Sequence, residues 1–193
     1  MLFQWLSGNK RYLLLLISVL LSACSTDSDW RTASRESAGL APDPAQQSMA
    51  VVQVYAADAW GWRGWFATHP WIATKRNGES RYTIYDVIGW RGGQGRPVLG
   101  IYQDIPDRHW FGSKPRLLVS HTGPQAEALI AKIRQAALSY PWKNEYKVFP
   151  GPNSNTFVAW VASQVPELNL KMPFSAIGSG YISNYKPAPP AQN

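Results

Sequence analysis

The chain of 193 residues has little of what several functional classes need. Its one cysteine, Cys24, excludes an internal disulfide framework and a multi-cysteine zinc site. The apolar segment from Leu13 to Leu21 is shorter than the roughly 20 residues that a membrane-spanning helix needs. Charged residues make up only 16% of the chain, and no basic cluster interleaves with aromatic residues, which excludes a nucleic-acid surface. Ten tryptophans and nine tyrosines exclude a disordered polar chain.

Residues 1–23 have the pattern of a secretory signal. Lys10 and Arg11 precede the short apolar segment, no acidic residue is present, and small residues follow. The tetrapeptide Leu21-Ser22-Ala23-Cys24 resembles a bacterial lipobox, and this resemblance implies that Cys24 becomes the lipidated first residue of the mature protein. The alternative is an ordinary secreted protein in which the cysteine stands by chance.

Lipidation of Cys24 would have consequences for location and chemistry. A thioether at the only cysteine excludes thiolate catalysis. Ser25 stands where the inner-membrane retention signal of such lipoproteins has Asp, so we expect a lipid anchor in the outer membrane, facing the periplasm. Loss of Lys10 and Arg11 lowers the formal charge from +7 to +5. The expected partners are the membrane and a peptidoglycan or lipid ligand, with no nucleic acid and no cofactor.

Composition divides the rest of the chain into three parts. Residues 24–48 are rich in Ser, Ala, Pro, Asp and Gln, which predicts a flexible tether behind the lipidated cysteine. Residues 49–183 form the predicted globular domain. Residues 184–193 contain several prolines and predict a loose tail.

Hydrophobic periodicity within 49–183 predicts an α+β domain, with an antiparallel sheet packed against two helices. A hairpin is expected to turn at 77–80, and Pro70 predicts an edge strand or a first paired position. The glycine-rich segments 60–65 and 91–95 predict irregular structure and a turn. The predicted strands are 51–56, 66–76, 82–90, 116–120 and 145–149, and the predicted helices are 124–140 and 154–166.

The most distinctive segment is Pro150-Gly151-Pro152-Asn153-Ser154-Asn155-Thr156-Phe157. Asn153 is a favourable N-cap, and a helix that starts there places Ser154 in line with its apolar stripe. A nucleophile in the first turn of a helix has backbone N–H groups nearby for an oxyanion, but a serine also needs a base. His69 lies at the start of an aromatic strand, whereas His109 and His121 lie in predicted loops and make a weak metal site.

Two short motifs carry a family resemblance. Asn153-Ser154-Asn155-Thr156-Phe157 resembles the Asn-Cys-Asn-Thr-Phe signature of the PPPDE-type isopeptidases, circularly permuted relatives of papain and the NlpC cell-wall peptidases. His69-Pro70-Trp71-Ile72 resembles the histidine strand of the lecithin retinol acyltransferase group. The region 49–183 as a whole is similar to a bacterial family of unknown function. The resemblance implies a permuted papain-like fold, with Ser154 in place of the nucleophilic cysteine.

Two functions stay open on this evidence. In the first, Ser154 attacks an amide or ester carbonyl in the cell envelope, and His69 carries the proton. Asn153, Asn155 and Trp71 then form the oxyanion site or the pocket. In the second, the same groove binds a ligand without catalysis, having lost the thiol. Asp86 is the only carboxylate on the next strand, but hairpin counting places it a residue or two out of line, so no third catalytic residue is assigned.

Overall fold

A computed structural model describes residues 29–186 of the protein. The predicted signal 1–23, the predicted lipidation site Cys24 and the tail residues 187–193 lie outside the described residues. Residues 34–186 belong to one compact unit. Over residues 29–186, no helix is both long enough and apolar enough to cross a membrane.

The domain is built on a five-stranded antiparallel sheet, which confirms the predicted α+β class. The strands lie in the order β4-β3-β2-β1-β5, so β3, β2 and β1 are inside the sheet and β4 and β5 are its edges. All three inner strands are buried almost throughout, since each face of the sheet is covered. The strands are β1 (Val51–Asp58), β2 (Thr68–Lys75), β3 (Thr83–Val87), β4 (Leu99–Gln103) and β5 (Arg116–Thr122).

Two long helices cover one face of the sheet. A short helix, α1 (Gly89–Gly93), follows β3; α2 (Pro124–Leu138) and α3 (Ser154–Gln164) then pack on the sheet and on each other. The apolar stripes predicted for both long helices are buried, from Ala126 to Ala137 in α2 and from Ser154 to Val161 in α3, with Val165 at the C-cap. They meet aliphatic residues of β1 and β2, such as Val52 and Ile72, and this face is named the helix face.

The opposite face of the sheet is aromatic, and no long helix within residues 29–186 covers it. Tyr55, Trp71 and Tyr82 form its centre, and this face is named the aromatic face. Two irregular segments cover it, 34–42 and 104–113. Asp107 joins them, because its buried carboxylate accepts hydrogen bonds from the Ser37 hydroxyl at 2.8 Å and from the backbone N–H of Ala41 at 3.1 Å.

Within the predicted tether 24–48, the structure differs from the expected flexibility at residues 34–42. Residues 34–42 lie along the aromatic face and are held there by backbone hydrogen bonds as well as by Asp107. Low hydrophobicity predicted flexibility, but the buried Asp107 carboxylate accepts from the backbone N–H groups of Leu40 and Ala41, and backbone groups of 107–112 pair with the rest of the segment.

Other local predictions also need correction. Pro70 is neither on an edge strand nor at a first paired position: it pairs with Ala56 of β1, and its missing N–H is tolerated because β3 pairs with β2 only from Ile72 onward. The predicted strand 145–149 is irregular, since the Lys147 N–H turns back to the Pro152 carbonyl. Residues 61–65, predicted as irregular, form a 3-10 helix. The predicted turn at 91–95 overlaps α1. The sequence prediction did not include β4.

Candidate functional site: a cavity at the start of helix α3

Helix α3 begins with a complete capping box. The Asn153 side-chain oxygen accepts hydrogen bonds from the N–H groups of Asn155 and Thr156 at 2.9 and 3.1 Å. In return, the Thr156 hydroxyl accepts from the Asn153 N–H at 3.0 Å. The Asn153 amide also donates to two backbone carbonyls, those of Val148 and Ile177. Asn153 therefore fixes the start of the helix to the loops on either side of it.

This cap limits which backbone groups a ligand can use. The N–H groups of Asn155 and Thr156 are occupied by Asn153, and that of Phe157 by the Asn153 carbonyl. Among the described residues, nothing accepts a hydrogen bond from the Ser154 N–H. The expected oxyanion donors of the first turn are thus reduced to this one, which points along the helix axis.

A cavity of about 720 Å³ lies in front of Ser154. It sits at the end of the sheet where β2 starts and β3 stops, so residues of both faces reach it. Many of the residues that line it are aromatic. Arg63 is the one charged residue in the lining, which therefore contains no acidic side chain. The aromatic lining residues are Trp60, Trp62, Phe66, Trp90, Trp110, Tyr146 and Phe149.

The Ser154 hydroxyl is available to this cavity. The residue is only 3% exposed, yet its oxygen has no hydrogen-bond partner within residues 29–186 and is not among the fully enclosed polar atoms. Its place at the head of the buried stripe that continues through Phe157 and Val158 directs the side chain toward the sheet. Serine hydroxyl and N–H together form a pair of donors at one end of an apolar space.

His69 also lines the cavity, but it approaches from the aromatic face. Strand alternation places it with Trp71, and its ring stacks on Trp110 with centroids 3.6 Å apart and planes at 8°. No hydrogen bond joins His69 to Ser154, and the His69 Nε2 atom is enclosed without a partner. Burial, with the Arg108 charge as a smaller contribution, lowers the pKa of His69 to about 3, so the imidazole is neutral.

Asp86 makes no hydrogen bond to His69, and its Oδ1 atom is enclosed without a partner. Its carboxylate accepts a hydrogen bond from the Tyr102 hydroxyl at 2.7 Å and pairs with Arg108 at 3.3 Å. Burial raises the pKa of Asp86 to about 6, while Tyr102 and Arg108 oppose that rise. Arg108 in turn lies over the Trp110 ring, 5.7 Å from its centroid. The Asp86 carboxylate is thus linked to the His69 imidazole by a series of contacts: Asp86 pairs with Arg108, Arg108 lies over Trp110, and Trp110 stacks on His69.

The structure places the other predicted site residues at different distances from the cavity. Asn153 and Asn155 line it, and the Asn155 amide bridges to the carbonyls of Thr68 and Ile177. Trp71 does not line it: its ring is buried in the aromatic face, and its N–H donates to Pro106. Over residues 29–186, no group of three metal-ligating side chains comes together.

The predicted loop histidines lie apart from the cavity. A ring nitrogen of His109 contacts the Glu36 carbonyl, and one of His121 contacts the Leu168 carbonyl. His121 also belongs to β5 and not to a loop.

Sequence reasoning missed part of the lining. Trp110, which stacks on His69, lies in an irregular segment that no hydrophobic period marks. Tyr146 and Phe149 were assigned to a strand, although their side chains form a wall of the cavity. The clustering of aromatic residues next to the Pro150–Pro152 break, just before the capped helix, could have indicated that they line the cavity.

Comparison with known proteins adds one match. The model of a protein family described as "Protein of unknown function (DUF3750)" matches residues 49–181, which include all five strands, both long helices and every residue that lines the cavity. The comparisons with curated proteins and with solved structures find no match. The chain therefore belongs to the DUF3750 family of proteins of unknown function.

Proposed function

We propose that the domain is a binding module of the cell envelope whose cavity holds a ligand with an apolar body and an oxygen-bearing end, such as a carboxylate or a carbonyl. The observation that carries the proposal is the pair of unpartnered donors on Ser154, at one end of a cavity with aromatic walls. Apolar pockets with a few convergent polar groups are the usual form of small-molecule sites.

The electrostatics of the cavity favour an acceptor at that end of the ligand. The start of an 11-residue helix favours negative charge, and Arg63 is the charged residue in the lining. Neutral His69 does not repel an anion and does not attract one strongly. Long-chain carboxylates and acyl esters satisfy both the aromatic walls and the donor pair, whereas a glycan would leave most of its hydroxyl groups without partners.

Location in the envelope rests on the sequence and is part of the proposal. A lipid on Cys24 would hold the domain at the periplasmic side of the outer membrane, where acyl compounds are abundant. The volume of about 720 Å³ suits one acyl chain and its head, since small-molecule sites have roughly 300–1,000 Å³.

Binding can be tested with myristate and with tetradecane, which lacks the polar end. Residues 25–193 are used once circular dichroism shows cooperative unfolding, and tryptophan emission reports occupancy because four tryptophans line the cavity. Ser154→Ala removes the hydroxyl, and Ser154→Pro also removes the N–H, at a helix position where proline is well tolerated. We expect myristate affinity to fall about 10-fold in the first variant and further in the second.

The matched control is Ser163→Ala, at the other end of α3, where the serine hydroxyl contacts the Trp160 carbonyl. It should bind myristate as the unaltered domain does. Tetradecane affinity should be the same in all four proteins. Absence of myristate binding, or binding that both Ser154 variants leave unchanged, would contradict the proposal.

A second candidate function is acyl hydrolysis or transfer, favoured by the presence of Ser154 and His69 in one cavity. Ser154 Oγ would attack the carbonyl carbon, its proton would pass to His69, and the Ser154 N–H would stabilise the oxyanion. Collapse of the intermediate would break the bond to the alcohol or amine, which would take the proton from His69. Water, or an acceptor hydroxyl or amine, would then release the acyl group from Ser154. This is the role that the permuted papain-like resemblance assigns to these positions. The lowered pKa of His69 and its missing hydrogen bond to Ser154 make binding the better supported function.

Labelling with a fluorophosphonate separates the two candidates. An enzyme reacts covalently, and the label is lost in both Ser154→Ala and His69→Ala. A binding module shows myristate binding without labelling. Release of nitrophenol from a nitrophenyl myristate ester, abolished in the same two variants, would establish hydrolysis and displace the first proposal.

A further inference from the structure

The mouth of the cavity is surrounded by solvent-exposed aromatic side chains. Seven of the thirteen large apolar residues that are exposed within residues 29–186 lie on the segments around it. Trp65 is 92% exposed and Phe149 is 76% exposed. We name the following six residues the aromatic rim: Trp62, Trp65, Phe66, Trp90, Phe149 and Phe174.

The rim residues are close together because four loops meet at this end of the sheet. Trp62, Phe66, Trp90 and Phe149 themselves line the cavity. Trp65 shares the 3-10 helix 61–65 with Trp62, and Phe174 lies next to Ser175, whose carbonyl accepts from the Thr68 N–H at the start of β2. Burying such large rings inside the domain would be favourable, so their exposure at one place calls for a partner.

The charges around the rim are mainly positive. Segments 59–67, 88–97, 146–153 and 169–178 contain no Asp or Glu, although Glu145 directly precedes the third segment and Glu167, which pairs with Lys132, lies two residues before the fourth. Asp58, which precedes the first segment, is paired with Arg116 at 3.0 Å. The basic residues of the four segments are Arg63, Arg91, Arg96, Lys147 and Lys171.

Exposed tryptophan and phenylalanine next to lysine and arginine are typical of surfaces that enter the headgroup region of a bilayer. The rings occupy the boundary between headgroups and acyl chains, and the cations meet anionic lipid headgroups. A protein partner would more often present acidic residues to such a surface and would not require aromatic rings on four separate loops. The combination of rings and an excess of positive charge therefore favours lipid.

We propose that the aromatic rim docks on an anionic bilayer surface, so that the mouth of the cavity opens directly onto the lipid. This goes beyond the binding function and does not depend on the role of Ser154. It is also independent of a lipid on Cys24, because an anchor fixes the chain to a membrane without determining which side of the domain faces it. Docking by the rim would give a membrane-derived ligand a path that avoids water.

Tryptophan quenching by brominated lipid tests the orientation. The full chain is reconstituted into vesicles of phosphatidylethanolamine and phosphatidylglycerol that contain a brominated phospholipid, which quenches only tryptophans at bilayer depth. The double variant W62F/W65F removes two rim fluorophores and keeps the rings apolar. We expect the quenched fraction of the emission to fall in this variant, because two quenched tryptophans are gone.

The control is Trp160→Phe, which removes a buried tryptophan of the helix face. Its removal should raise the quenched fraction, since an unquenched emitter is lost. All remaining tryptophans, including Trp5 and Trp30, contribute equally to each comparison. A quenched fraction that W62F/W65F leaves unchanged or raises would overturn the proposal and leave a protein as the candidate partner of the rim.

Replacing phosphatidylglycerol by phosphatidylcholine tests the role of charge. We expect less quenching of the rim tryptophans in the neutral vesicles than in the anionic ones. In the anionic vesicles, quenching should be weaker at high salt than at low salt. Equal quenching in neutral and anionic vesicles would overturn the anionic part of the proposal. Because neither substituted side chain is buried, thermal unfolding of W62F/W65F should match that of the unaltered chain, which guards against a folding defect.

Discussion

The two faces of the sheet are covered by different kinds of structure. On the helix face, α2 and α3 bury aliphatic stripes against β1 and β2, and hardly any charged group is involved. On the aromatic face, irregular segments pack over rings, and buried polar groups hold them: Asp107 binds 34–42, and Asp86 pairs with Arg108. One face is stabilised mainly by apolar area, while the other also needs specific hydrogen bonds.

This difference determines how each face should respond to change. Apolar packing adapts in part to a smaller side chain, so its loss is graded. A buried carboxylate that satisfies several donors has no substitute, and its removal leaves those donors unpaired in a dry environment. The candidate cavity lies where the two faces meet, with Ser154 from one and His69 from the other.

The largest effect is expected for Asp107→Ala on the aromatic face. The substitution leaves the Ser37 hydroxyl and the N–H groups of Leu40 and Ala41 without their acceptor. We expect a loss of about 4 kcal/mol in the free energy of unfolding, since each hydrogen bond to a charged group contributes about 1.5–3 kcal/mol. Urea unfolding measures the loss, and proteolysis should cleave within 34–48 before the rest of the domain.

Ser37→Ala is the matched control for that substitution. It removes one donor and leaves the carboxylate in place, so a loss of about 1 kcal/mol is expected. If Asp107→Ala is no more destabilising than Ser37→Ala, then apolar packing alone holds the aromatic face, and the contrast between the faces disappears.

A smaller effect, visible only in acid, is expected for His69→Phe. The pKa of His69 is about 3 in the folded domain against 6.5 in the unfolded chain, so the unfolded state binds the extra proton. His69 therefore contributes stability that is present above pH 6.5 and is lost as the pH falls from 6.5 toward 3. At about pH 4 the loss is on the order of 3 kcal/mol, since one pKa unit corresponds to about 1.4 kcal/mol.

Phenylalanine keeps the stacking on Trp110 and removes the titration. The variant and the unaltered domain are compared by urea unfolding at neutral pH, where the difference reports packing, and again in acid, where it also includes protonation. On acidification, the free energy of unfolding should fall less in the variant than in the unaltered domain. A parallel pH dependence in the two proteins would show that the His69 ring is hydrated, and would restore it as a candidate base.

Sequence reasoning predicted the helix face better than the aromatic face, for a physical reason. Helical periodicity marked the buried stripes of α2 and α3, and Asn153 was expected as the cap that the structure shows. Hairpin counting also placed Asp86 out of line with His69, in agreement with the register: the pairing of β2 with β3 ends at Ile72 and Tyr85, so His69 has no partner on β3. These features depend on neighbours a few positions away.

The aromatic face depends on contacts between distant parts of the chain. Segment 34–42 has the composition of a tether, and only the position of Asp107, about 70 residues later, gives its backbone a partner. The same holds for His69, whose neighbour Trp110 comes from an irregular segment. The local sequence pattern predicted that Ser154 and His69 lie near each other, and both line one cavity. It did not predict that they approach this cavity from opposite faces of the sheet. Their catalytic roles stay predictions.

The smallest of the three effects is expected at Gly178, where an irregular segment meets the helix face. Gly178 has φ +92°, and a Cβ there would lie 2.3 Å from the Asn153 amide nitrogen. Gly178→Ala should cost about 2 kcal/mol, because the left-handed backbone alone disfavours alanine by roughly 1–2 kcal/mol and the cap must also move. Urea unfolding measures the cost.

Gly180→Ala is the control, since a Cβ at that position has open space and the free energy of unfolding should change by less than about 0.5 kcal/mol. Because Asn153 fixes the start of α3, the Gly178 variant should also displace the Ser154 donors and bind myristate more weakly than the Gly180 variant does. A Gly178 variant that loses stability and keeps full myristate affinity would show that ligand binding does not depend on the Asn153 cap. The polar end of the ligand would then lie away from Ser154.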